Sequence, residues 1–232
     1  MHIPDGFIDA PTSLAAGAAA AGALVGCARR SGEMMEDKHA PMAGLVAAFI
    51  FAVQMVNFPV IGGTSGHLLG GALAAILVGP YLATLCLSVV LVVQALLFAD
   101  GGLSALGLNV INMAVVGAFA GYGIFLLARR VLPATRRGVV TASAAAALLS
   151  VVLAALAFVA EYALGGAGGA SLTRVAGAMV GVHVLIGVGE ALITALTVSA
   201  VLTVRPDLVH GARDLAAGPA PVADRTAAAV GG

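Results

Sequence analysis

Runs of apolar residues long enough to cross a bilayer follow one another along most of this chain, separated by short polar breaks. A hydrocarbon core of about 30 Å takes roughly twenty helical residues. On that scale the runs predict spans over Pro11–Ala28, Pro41–Phe58, Tyr81–Ala99, Leu106–Ala128, Val139–Leu164 and Val175–Val204. A further run, Gly66–Pro80, is third in order and short: about fifteen residues rise roughly 22 Å as helix, less than a full crossing. Gly62-Gly63-Thr64-Ser65-Gly66 precedes it. Irregular backbone dipping into the bundle ahead of a short helix is therefore expected, tolerated because protein and not lipid surrounds it. The predicted class is an all-α integral membrane protein, a bundle of about seven transmembrane helices.

Charge gives the bundle a direction. Arg29, Arg30 and Lys38 flank the first break, Arg129, Arg130, Arg136 and Arg137 fill the break between the fifth and sixth spans, and Arg205, Arg213 and Arg225 follow the last. Arg174 alone falls on the other side. Basic residues collect in cytoplasmic loops, which predicts an outward-facing amino terminus and, with an odd number of spans, a cytoplasmic carboxyl terminus. Residues 1–205 then form the membrane domain, and 206–232 a disordered cytoplasmic tail in which Ala, Pro, Gly and charge replace the apolar runs. His39 and His210 fall in cytoplasmic segments and are expected to be solvated.

Composition agrees: 61% hydrophobic and 9% charged residues, with a mean hydropathy of +1.08, stand far from the roughly 25% charge of a soluble domain. A multi-pass protein of the cell membrane, in contact with lipid, follows. Formal net charge is +0 and the basic residues come in scattered pairs without interleaved aromatics, which excludes nucleic acid as a partner class. Cys27 and Cys86 lie in apolar runs, where a thiol acts as a small buried hydrophobe. No cleavable signal peptide is expected, because no basic region precedes the first apolar run.

The chemistry concentrates at the start, Met1-His2-Ile3-Pro4-Asp5-Gly6-Phe7. A histidine directly after the first residue brings the α-amino nitrogen, the His2 amide nitrogen and an imidazole nitrogen within reach of one ion, closing two fused chelate rings. Three nitrogens in a plane suit Ni(II) or Cu(II), with Co(II) also compatible; one more would complete the plane. Pro4-Asp5-Gly6 reads as a rigid turn that folds the chain back after it offers its terminus. Taken alone, the seven residues fit an ordinary chain end as well.

Polar residues inside apolar spans are few, and each invites a functional reading. Gln54 and Asn57 end the second span, Gln94 lies in the fourth, Asn109 and Asn112 share one face of the fifth, Glu161 ends the sixth, and His183 and Glu190 share one face of the seventh. For the amides the alternative is interhelical hydrogen bonding; for His183 and Glu190, a structural pair. In the first span Ala15, Ala19 and Ala23, and beside them Ala18, Gly22 and Gly26, recur every four residues, strips that admit a closely packed helix. The helix comes from this bundle or from a separate membrane subunit.

Several of these stretches together carry a resemblance. The opening heptapeptide, Asn57-Phe58-Pro59, Gly62-Gly63-Thr64-Ser65-Gly66-His67, Gln94-Ala95-Leu96-Leu97-Phe98 with Asp100-Gly101-Gly102, Asn109-Val110-Ile111-Asn112-Met113, and Gly189-Glu190-Ala191-Leu192-Ile193-Thr194 resemble the cobalt/nickel substrate-binding subunits of energy-coupling factor transporters, the CbiM/NikM family. The likeness runs from Met1 to about Pro206. It implies a seven-span subunit that captures Co(II) or Ni(II) outside as its cargo, with no resident cofactor. It also implies work beside a transmembrane coupling subunit, a small auxiliary membrane subunit and cytoplasmic ATPases. The ligands it implies are the Met1 amine, the His2 amide and imidazole nitrogens, and His67. Ser65, Asn109, Asn112, His183 and Glu190 are then candidates for the polar surroundings. His67 in the first turn of its helix meets a positive helix end, unfavourable to a cation by about 0.3–1 kcal/mol where exposed; loss of the His2 amide proton to the metal offsets this. No phosphate-binding loop is present, so the chain is expected not to be an enzyme, and ATP hydrolysis belongs to a partner.

Two other classes are compatible with parts of the sequence. Gly63-Thr64-Ser65-Gly66 with His183 looks like the G-x-S-G and histidine of a rhomboid intramembrane protease, which leaves the opening motif without a role. A vitamin-binding subunit of the same transporter type wants an aromatic pocket, and three tyrosines, eight phenylalanines and no tryptophan weigh against it. Cobalt and nickel themselves share ligand preferences too closely to separate here.

Overall fold

The structure, a computed structural model, describes residues 1–34 and 39–216. Its long helices are α1 (Ala10–Met34), α2 (His39–Gln54), α4 (Pro80–Leu97), α7 (Arg136–Gly165) and α8 (Leu172–Val204). Between α4 and α7 runs one broken rod: α5 (Leu106–Asn109), a wide π-helical stretch Val110–Val116, and α6 (Gly117–Val131). Among the described residues five helical segments are long and apolar enough to cross a membrane, and Ala40–Gln54 is a shorter apolar helix.

The remaining apolar run supplies the centre of the bundle. α3 spans only Gly71–Val78 with every residue buried, packed against α4, α6 and α7. Its close approach to α6 rests on paired glycines: a Cβ on Gly71 would lie 2.5 Å from the Gly117 carbonyl carbon. The helix is shorter than expected because Gly70, at φ +77°, turns the chain immediately before it. Upstream, Phe58–Pro59 (β1) and Ser65–Gly66 (β2) form a small antiparallel pair, and residues 67–70 carry no regular structure. His67 thus stands in irregular backbone four residues ahead of α3, not in the helix's first turn, and the positive helix end does not bear on it directly.

One boundary shifts from the expected position. The chain after Pro206 does not dissolve into a tail at once: Pro206–Leu208, His210–Ala212 and α9 (Arg213–Ala216) are short helical turns, with Val209 and Ala212 fully buried. Their apolar residues suffice to dock this stretch on the bundle end. His210 accordingly lies half-buried with its ring 5.6 Å from that of Tyr122, not in free solvent. Residues 217–232 and Lys38 lie outside the described residues.

The helices differ in how far the bundle encloses them, and α1 is the most open of the five long spans. Half of the most apolar window of α7 is buried, but only 17% of that of α1. Ala15, Ala19, Ala18, Gly22 and Gly26 are all exposed, so most of the small-residue surface of α1 is left uncovered by the described residues.

Candidate metal centre

The amino terminus is threaded back into the bundle by its own sequence. Gly6, at φ +75°, closes a turn in which the Phe7 N–H donates to Pro4 O at 3.3 Å. The Phe7 ring then lodges 5.8 Å from Phe158 and 5.0 Å from Tyr162 on α7. Beyond the turn, Ile8 bridges to Gly166 and the Ala167 N–H donates to Phe7 O at 2.9 Å. With residues 5–8 pinned, the three residues before the turn point inward, and Met1, His2 and Ile3 are 0%, 3% and 0% exposed.

Asn109 holds the buried end in register. Its Oδ1 accepts the Ile3 N–H at 2.8 Å and its Nδ2 donates to Ile3 O at 3.3 Å, the pairing a neighbouring strand would make. Gly102 N–H also donates to Ile3 O, at 2.8 Å. Asp5 anchors the outer side, its Oδ1 accepting Ser104 N at 2.8 Å and Ser104 Oγ at 2.5 Å.

Around this strand lie the nitrogens. The His67 ring centroid is 4.5 Å from that of His2. His67 donates from Nδ1 to the Leu68 carbonyl at 2.8 Å, which fixes the tautomer and leaves a lone pair on Nε2. That Nε2, like His2 Nε2, is buried with no hydrogen-bond partner. His2 Nδ1 faces Asp100 Oδ1 at 2.9 Å and Ser65 Oγ at 3.4 Å, while the His2 backbone N–H reaches the same Ser65 oxygen at 3.4 Å. Asp100 is steadied by Asn57 Nδ2 at 2.8 Å, and Ala99 before it adopts φ +53°, a conformation that costs a non-glycine residue of order 1–3 kcal/mol. A cleft of about 180 Å³ lined by Pro4, Asp5, Ser65 and Asp100 leads to His2.

Burial pushes the Met1 amine well below its usual range, against the opposing pull of Asp100 and Glu190. Burial also lowers His2, opposed first by its hydrogen bond to Asp100. Both shifts favour neutral nitrogens carrying lone pairs. Among the described residues no three His, Cys, Asp or Glu side chains form a metal-ligand group.

The other candidates divide. Ser65 and Asn109 touch the terminal strand. Asn112 does not share its partner with Asn109: from the π-helical stretch, whose wider turn swings it away, its Nδ2 donates to Glu161 Oε2 at 2.6 Å. His183 and Glu190 do not pair either. His183 Nδ1 donates to Met179 O of its own helix at 2.7 Å, and Glu190 bonds the backbone next to His67. Ser65 is bonded to His2 and not to His183. Asp100 was not among the predicted site residues. Its position beside paired glycines after an apolar run marks a turn, and only the tertiary fold shows that the turn closes on His2.

Residues 2–208 match the family model described as the cobalt uptake substrate-specific transmembrane region. A putative metal transport protein of Haloquadratum walsbyi is 41% identical over 90% of this chain and 93% of its own length. A putative fused nickel transport protein, NikMN, of Archaeoglobus fulgidus is 39% identical over 90% of this chain and 68% of its own. The crystal structure of a truncated transition metal transporter superposes with a TM-score of 0.81 at 34% identity, covering 88% of this chain and 99% of that one.

Proposed function

This chain belongs to the family of cobalt uptake substrate-specific transmembrane proteins, CbiM, and from that premise we propose that it captures Co(II) or Ni(II) in a plane of four nitrogens. It is the membrane-embedded, substrate-binding subunit of a metal uptake system. The plane consists of the Met1 amine, the His2 amide and imidazole nitrogens, and His67 Nε2. The carrying observation is the spacing of the two rings. In this chelate the amide nitrogen sits between amine and imidazole, so His67 completes the square next to the His2 ring. Metal–nitrogen bonds of about 2 Å, with each ring centre about 1.2 Å further on, separate two rings bound at right angles by about 4.5 Å. The observed separation is 4.5 Å. Rings bound opposite each other would stand about 6.4 Å apart on the same bond lengths.

Loading requires one rearrangement. The chelate closes through His2 Nδ1, whose proton here faces the Asp100 carboxylate; on loading that proton moves to Nε2, the His2 amide proton leaves to water in the cleft, and the ion takes Nδ1 in place of the carboxylate. The cleft beside Asp5 and Asp100 supplies the route. His67→Ala removes the fourth nitrogen from a loop held by other bonds. The variant should fold and lose stoichiometric Ni(II) or Co(II) on gel filtration, and full retention would take His67 out of the site.

The outward orientation is supported by the arginines: of those among the described residues, all but Arg174 fall in the breaks and the C-terminal stretch at the end of the bundle away from His2. Single cysteines at Gly165–Gly169 should react with impermeant reagents added outside, and those beside Arg136 should not; the reverse pattern would overturn capture from outside. Coupling to a transmembrane subunit, an auxiliary membrane subunit and ATPases completes the reading. Its supports are the exposed small-residue face of α1 and the fused relative, two thirds of whose length this chain spans.

A further inference from the structure

The loop that carries His67 is gripped by a carboxylate from another helix. Glu190, in the middle of α8 and 2% exposed, accepts the Leu69 N–H at Oε2 (2.6 Å) and the Gly70 N–H at Oε1 (2.9 Å). From the other side Gln54 Nε2 on α2 donates to Leu69 O at 2.7 Å. Among the described residues Glu190 makes no ion pair with Lys or Arg. An ionised carboxylate at this depth is costly unless something compensates it, so its position calls for a reason beyond packing.

The reason lies in one peptide group. The Leu69 N–H and the Leu68 carbonyl belong to the same planar, trans amide and point in opposite directions. Glu190 holds the N–H end of that amide, and His67 Nδ1–H is bonded to its carbonyl end at 2.8 Å. Carboxylate, amide and imidazole thus form a continuous hydrogen-bonded chain ending at the bare Nε2 of His67. A carboxylate on an amide N–H increases the acceptor strength of its carbonyl, since hydrogen bonds in series polarise one another. Metal-binding histidines commonly donate their second nitrogen to a carboxylate or carbonyl, which fixes the ring and makes the bound nitrogen a better donor. Here both devices are joined, with the carboxylate acting through one intervening peptide.

We infer that Glu190 is a positioning residue for the metal centre, orienting and strengthening His67 as a ligand through the Leu68–Leu69 peptide. This rests on the proposed four-nitrogen site. The same carboxylate places negative charge beside the N-terminal end of α3, so the positive helix end and the cation are balanced by one group. A carboxamide is a poor substitute, because the two N–H groups each bond a separate oxygen and the NH₂ that replaces one of them opposes the N–H it faces.

The test compares full-length wild type, Glu190→Gln and Glu190→Asp for Ni(II) affinity and for the ligand-field absorption of the bound ion, on monodisperse protein. Wild type that binds no Ni(II) removes the proposed site itself, independently of Glu190. Given wild-type binding, Glu190→Gln should bind at least about tenfold more weakly, with its ligand-field band shifted to lower energy. Glu190→Asp, which keeps the charge but not the reach, should lie between. A purely structural role would lower the folded yield and leave both readouts unchanged in the folded fraction, which overturns the inference. If Glu190→Gln does not fold, Glu190→Asp decides by the same two readouts. If neither folds, the carboxylate belongs to the fold and the inference falls.

Discussion

The two ends of α3 sit in opposite chemical settings. Ahead of its first residue lies His67, with a buried and unpartnered Nε2, beside a small polar cleft of about 180 Å³. Beyond its last residue Gly79, at φ +87°, packs under the His210 ring in a larger cleft of about 320 Å³ lined by Tyr81, Phe119 and Tyr122. Charges at that second end satisfy one another at the surface, Arg129 with Asp214 at 2.7 Å and Arg205 with Asp207 at 2.8 Å. Size alone would favour the second cleft. A buried polar atom without a partner costs about 1–3 kcal/mol; both ends carry one, Ser31 Oγ beside the larger cleft and His67 Nε2 beside the smaller, but only His67 offers a nitrogen lone pair that a metal ion would take. The difference points to the end where a backbone bond fixes the His67 imidazole and leaves its Nε2 lone pair over.

The hardest test of that contrast is to add a residue in front of Met1. Any extension converts the amine into an amide and must also find room beside a residue that is 0% exposed. An uncleaved amino-terminal tag should abolish stoichiometric metal binding while helicity and membrane insertion persist. The same tag after Gly232 should leave binding intact. Equal binding by both tagged forms would remove the terminus from the site.

Much of this was legible in the sequence, for identifiable reasons. Long apolar runs report spans directly, and a histidine in second place permits a chelate by covalent geometry, while its burial beside His67 is visible only in the fold. The glycine-rich stretch before His67 announced irregular backbone, although Gly70 ends it later than expected. What stayed hidden depends on contacts between distant elements. Asp100 and His2 are brought together only by the turn after α4. Asn109 and Asn112, three apart, part company because the helix between them widens. Glu190 and His183, seven apart on one helix, face different partners. The folded stretch after Pro206 was hidden for another reason: two buried apolar residues, Val209 and Ala212, are too few to outweigh a polar, Pro- and Gly-containing composition.

A smaller change probes how closely the terminus is held. A Cβ on Gly102 would overlap the backbone nitrogen of Asp5 and the carbonyl carbon of Pro4, pushing the strand that carries His2 out of register. Overpacking of this kind costs about 1–3 kcal/mol. Because only the terminus can yield, Gly102→Ala should weaken metal binding roughly tenfold to a hundredfold. Gly22→Ala on the open face of α1, where a Cβ meets nothing within 4 Å, should bind as wild type. Equal affinities for the two variants in a competition titration would mean that the terminus is not clamped by the turn after α4.

The smallest effect belongs to the opposite end. Arg129 donates from Nη2 to Asp214 Oδ2 at 2.7 Å and from Nη1 to Pro133 O at 3.0 Å, but the Asp214 side chain is 53% exposed and water competes for it. A pair of this kind contributes about 0–1 kcal/mol. Arg129→Ala should therefore lower the thermal midpoint by no more than about 2–4 °C for a chain of this size. Metal affinity should not move, because the pair lies beyond the far end of α3 from His67 and touches none of the proposed ligands. An affinity loss measured at a temperature well below the midpoint would show instead that the two ends communicate. α3, buried throughout and pinned by Gly71 against Gly117, would then be the element through which occupancy at His67 is transmitted to the opposite end of the bundle.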